Sequence, residues 1–236
     1  MQLARIAAIA LMALGAPVRA ETTVAPPPAE VSIARLGEVM QLDALFEVLR
    51  EEGIANGAEL EADMFPGGGG PGWQSAIATI YDVPVLRARF NYALRASLDS
   101  RPEVTAEIVD FFSSDLGTRI LTLEIEARRA FLDTAAEEAA RVAADRRRMG
   151  RDARAGQIDR FIEVGDLLEM NVAGALTGNL AFLSGMNETG VNGVFLPPEE
   201  LMAQVWEQEE QIRTDTESWL HAYLGLAYAP LTDAEL

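Results

Sequence analysis

Apolar residues recur along this chain at the spacing of α-helices, and that recurrence limits the folds open to it more than any other feature. Val39, Leu42, Phe46 and Leu49 fall at i, i+3, i+7 and i+10, one face of a helix. Leu116, Ile120, Leu123, Ala127 and Phe131 form a second such stripe, and Phe161, Leu168, Val172, Ala175 and Leu176 a third. Ile212, Trp219, Leu220, Tyr223, Leu224 and Ala227 form a fourth. No segment alternates polar and apolar residues between turn signals, so strands are not required. The expected class is all-α, a multi-helix bundle. With no cysteine in the chain, its stability must come from packing alone.

Glycine and proline punctuate the pattern. Pro66 to Gly72 reads as a loop, because five glycines in seven residues do not hold a helix. Gly150 ends the helix that carries Arg146, Arg147 and Arg148, and Asn187 to Pro198 reads as a second long loop. A helix then starts near Pro198 with Glu199 and Glu200 in its first turn, where acids suit the dipole. Two helical units are expected, residues 32–149 and residues 151–236. Leu86, Leu94 and Leu98 correspond to Ile212, Leu220 and Leu224 at a constant offset, which suggests an internal repeat. Thr232 to Glu235 has the form of a capping box, which announces a helix, so the second unit is expected to be truncated.

The N-terminus carries an address. A basic start, the apolar run Ile6 to Ala16, Pro17 and then Val18-Arg19-Ala20 make the three-part pattern of a secretory signal. The run is shorter than the roughly 20 residues a membrane span needs, so residues 1–20 are expected to be cleaved, touching the membrane only in transit. Residues 21–31 contain Pro26-Pro27-Pro28 and read as an extended tether. The expected location is the periplasm. Removing Arg5 and Arg19 from the 19 basic residues, all Arg, leaves 17 against 37 acids, a mature charge of about −20. Such a surface repels nucleic acid.

Between two of the helices lies Phe111-Phe112-Ser113-Ser114-Asp115-Leu116-Gly117. Ser114 suits the N-cap of the second helix, and Asp115 follows in its first turn. Gly117 permits close backbone approach, and Phe111 and Phe112 are expected to plug the corner. The stretch Val109 to Leu121 resembles the signature of the bacterial exported family called domain of unknown function 2059, approximately Phe-Tyr-x-Ser-Pro-x-Gly before a helix. Phe111, Ser114 and Gly117 match it, Phe112 stands for the Tyr, and Asp115 stands for the Pro. The resemblance covers about Thr105 to Leu132. It implies an all-helical exported protein and supplies no catalytic residue, substrate or cofactor.

Chemistry-bearing patterns are sparse. His221, the one histidine, shares a helix face with Glu217, a spacing that could serve a metal but suits a part-buried structural histidine better. Glu51/Glu52, Glu137/Glu138, Glu199/Glu200 and Glu209/Glu210 read as solvated faces, and Glu124 with Arg128 as a surface ion pair. The glycine run lacks a following Lys, so it is no phosphate loop. Arg146, Arg147, Arg148 and Arg151 are the one basic cluster and the candidate contact for an anionic partner. No catalytic, metal or cofactor residue is assigned. The reading is a non-enzymatic envelope interaction or scaffold module with an unidentified envelope partner or ligand. The alternatives are a binder of a small apolar or lipidic ligand between helices, drawing on Trp73, Tyr81, Phe161, Trp206 and Trp219, and a carboxylate-based enzyme.

Overall fold

A computed structural model describes residues 33–65, 68–98, 100–189 and 195–236. The expected signal, residues 1–20, and the expected tether, residues 21–31, lie outside the described residues. Within them the chain is all-α, with eleven helices. These are α1 (Ile33–Val39), α2 (Leu42–Met64), α3 (Gly70–Ile80), α4 (Val83–Leu98), α5 (Pro102–Ser113) and α6 (Asp115–Ala130). There follow α7 (Thr134–Met149), α8 (Ala153–Val164), α9 (Leu167–Thr189), α10 (Pro198–Trp206) and α11 (Glu209–Ala227). The described residues divide into two compact units, Glu138–Gly225 on one side and residues 33–137 with Leu226–Leu236 on the other. The division falls inside α7 and α11.

In the unit of residues 33–137 and Leu226–Leu236, α2 packs against α1, α3, α4 and α6, and α5 packs against α1 and α6. Leu36, Leu42, Phe46, Val48, Leu49, Leu94 and Leu98 fill its core. Gly53 lies under the Tyr81 ring, where a Cβ would come within 2.3 Å of a ring carbon. The loop expected over Pro66 to Gly72 is shorter than its composition suggests, since α3 begins at Gly70. Pro71 sits in the first turn, where its missing N–H costs nothing, and the Gly70 amide donates to Glu61 at 2.8 Å. Past α11, the Thr232 capping box forms in part. Glu235 accepts from the Thr232 amide at 2.8 Å and closes a single turn.

In the unit Glu138–Gly225, α9 packs against α8 and α10. Val172, Ala175, Leu176, Val205 and Ile212 form its apolar cluster. Phe161 of the expected third stripe is exposed, and Ile158 and Ile162 face inward on α8 instead. The second expected loop also starts later, because α9 runs on to Thr189. Asn187 holds its far side, donating to the Leu196 carbonyl at 2.9 Å and accepting from the Leu196 amide at 2.7 Å.

Candidate functional site

The corner between α5 and α6 is built from local chemistry. Ser114 caps α6, accepting from the Gly117 amide at 3.1 Å while its own hydroxyl donates to the Phe111 carbonyl at 2.6 Å. The group that approaches Gly117 is that same carbonyl, since a Cβ on Gly117 would stand 2.1 Å from the Phe111 oxygen. Phe112 is buried. Phe111 is exposed, so one ring rather than two fills the corner, with the rings edge to face at 5.0 Å. Leu116 is half-buried in the first turn of α6.

Further along α6 the chain does something its pattern conceals. The residues buried on α6 are Gly117, Leu121, Ile125, Ala127 and Arg128; of the expected stripe Leu116, Ile120, Leu123, Ala127 and Phe131, Ala127 is buried and the others are half-buried. Arg128 is only 5% exposed. Its Nε donates to Glu52 Oε1 of α2 at 2.7 Å. Glu124, one turn earlier, accepts from the Tyr228 hydroxyl at 2.5 Å. The surface pair expected of Glu124 and Arg128 is thus an interior network, and Glu52 is no part of a solvated face. Three elements distant in sequence meet there: α2, α6 and the turn after α11.

The electrostatics follow from burial. Whole-residue Glu124 keeps some contact with solvent, but its carboxyl group is enclosed. Loss of hydration pushes that carboxyl up to about 7, against the opposing Tyr228 hydrogen bond and the charge of Arg128. Arg128 is already engaged by Glu52, so its attraction does not offset the burial of a second acid. Burial also raises Glu52, with Arg128 opposing, and raises the Tyr81 hydroxyl, which the nearby Glu52 charge pushes further up. A carboxyl near 7 lies in the range used for proton transfer. Here, however, its hydroxyl partner and the neighbouring guanidinium are committed to holding helices together.

His221, the basic cluster and Trp219 sit in the unit Glu138–Gly225. His221 is buried, with Nε2 3.3 Å from Asp159 Oδ1. Burial, and then the Arg148 charge, lower its pKa, which keeps the ring neutral at neutral pH. Among the described residues no three His, Asp or Glu side chains gather as metal ligands. The two buried glutamates lie by Arg128 within their own unit. In the basic cluster, Arg148 pairs with Glu217, Arg147 lies over Gly225, and Arg146 and Arg151 are exposed. Trp73 donates to the Gly57 carbonyl at 2.8 Å, and Trp219 stacks on Tyr223 at 4.7 Å, so both serve packing. Asn179, Phe182, Leu183 and Gln208 line a recess with room for about one water molecule, far short of a ligand pocket.

Fold and site together define an all-α protein whose buried ionisable groups clamp helices, with a serine-capped corner joining two of them. Residues 97–145 match a family described as "Uncharacterized protein conserved in bacteria (DUF2059)". That match runs from the end of α4 through the corner and into α7, and it contains the whole of the stretch that carried the resemblance. No curated protein and no solved structure matches this chain.

Proposed function

We propose that this is an exported helical protein that acts in the periplasm through its surface, as an interaction or scaffold module, and not by catalysis. The observation that supports the reading is a contrast within the molecule. Glu52, Glu124, Arg128 and Tyr228, the groups best suited to chemistry, are bonded among themselves. Large apolar side chains, by contrast, stand in solvent: Tyr92 is 78% exposed and Met149 77%. Single exposed apolar residues are common, but large side chains this open, of types enriched at interfaces, favour contact with a partner. The signal at residues 1–20 and the proline-rich residues 21–31 supply export and reach.

The test is expression of the whole chain in a Gram-negative cell, release of the periplasm by osmotic shock, and intact mass and native sizing of the product. The proposal expects a chain beginning at Glu21 that elutes in an assembly larger than itself. A chain retaining Met1 in the cytosol, or one eluting at its own mass in the crude extract, overturns it.

A further inference from the structure

We infer that the outer flank of α10 is a docking surface for a basic amphipathic helix of a partner protein. This inference rests on the surface-acting reading above and names the partner's chemistry. Leu201 and Val205 turn inward on α10 and belong to the core. Met202 and Trp206, also one turn apart, lie on the adjoining flank and stay 44% and 60% exposed. Phe195, three residues ahead of the helix, is 72% exposed. A residue pair at i, i+4 is the spacing by which one helix offers anchors to another, and tryptophan, phenylalanine and methionine are enriched at protein interfaces. Helix formation does not require these side chains. α10 is already held by Pro198 in its first turn and by its buried pair.

Charge selects the occupant. Residues 196–212 contain five glutamates and no basic residue. Glu199 and Glu200 suit the α10 N-terminus, and Glu209 and Glu210 that of α11. Glu207 has no such role. The first cation beyond, Arg213, is already engaged by Glu169 and Glu209. Glu199, Glu200 and Glu207 are exposed and form no ion pair among the described residues. Apolar anchors set in an acidic rim fit a helix with leucines on one face and lysines or arginines on the other. An acidic helix is repelled, and a purely apolar one leaves the rim unmatched.

The experiment titrates the purified mature chain with three synthetic fourteen-residue peptides. One is a Leu/Lys amphipathic helix, one is the same helix with Glu for Lys, and one is Lys without Leu. Binding is read by calorimetry and by the Trp emission shift. The Leu/Lys helix is expected to bind, and W206A and M202A, each checked for native circular dichroism, are expected to weaken it about tenfold. Glu199→Gln with Glu207→Gln is expected to weaken it severalfold and to flatten its salt dependence. The inference is overturned if W206A and M202A bind as the wild type does, or if the Lys-only peptide binds as tightly. It is equally overturned if the Glu helix binds, or if the chain forms a dimer that W206A dissolves. A periplasmic assembly that survives W206A would defeat this inference and leave the surface-acting reading standing.

Discussion

Replacing Glu124 by Gln should change how stability depends on pH, and the size of the change can be worked from its surroundings. The carboxyl moves from an ordinary 4.5 to about 7 because burial penalises its charge. The folded protein therefore holds a proton that the unfolded chain has released between those values. That contribution is complete below 4.5 and is lost as pH rises through about 7. At about 1.4 kcal/mol per pH unit, it changes by about 2.5 kcal/mol between pH 5 and pH 8. The amide of E124Q keeps an acceptor for Tyr228 and cannot ionise. Urea unfolding at the two pH values should show E124Q gaining about 2.5 kcal/mol on the wild type from pH 5 to pH 8. The Glu124 carboxyl ¹³C resonance, assigned by its loss in E124Q, should titrate near 7. In Tyr228→Phe it should titrate higher, because the lost bond favoured the carboxylate. A resonance titrating near 4.5, or a stability difference that does not vary with pH, would show that burial does not hold Glu124 protonated.

Removing one partner of the buried pair, as in Arg128→Ala, should cost about 3–5 kcal/mol by urea unfolding, and joint replacement by Glu52→Leu and Arg128→Met should cost less. At the corner, Ser114→Ala should cost about 1 kcal/mol. Gly117→Ala should cost more, because its Cβ meets a backbone carbonyl that cannot swing aside. His221 has the opposite pH sense to Glu124. Its folded pKa is depressed, so its contribution is present above 6.5 and lost as pH falls below. His221→Gln should therefore lose less stability than the wild type between pH 7 and pH 5 in thermal melts.

The corner was legible because everything in it is local. A serine, an acid and a glycine within four residues specify the cap and the close approach, and the structure needs no distant residue to complete them. The helices were legible for the same reason, through spacing and through proline and glycine. The interior network was not. Arg128 pairs with a residue 76 positions away, and Glu124 with one 104 positions away, so no window of the sequence holds both partners. Periodicity also misled, since it counts charged side chains as outward. On α6 the buried face carries Arg128 in line with Gly117, Leu121 and Ile125, while Leu116, Ile120 and Leu123 of the apolar stripe lie beside it, half-buried. A signal was present: Glu124 and Arg128 flank Ile125 on a helix where Leu121 and Ile125 also align. It becomes decisive only once Glu52 of α2 is placed opposite.

Photo-crosslinking in living cells tests directly the proposal that the molecule works by presenting its surface to a partner outside the cytoplasm. A photoreactive phenylalanine analogue is placed at position 206, with a second chain carrying it at the buried position 224 for comparison. A discrete higher-mass adduct is expected from position 206, recovered in the periplasmic fraction, and none from position 224. An uncrosslinked chain at both positions, or adducts confined to cytosolic proteins, would contradict it.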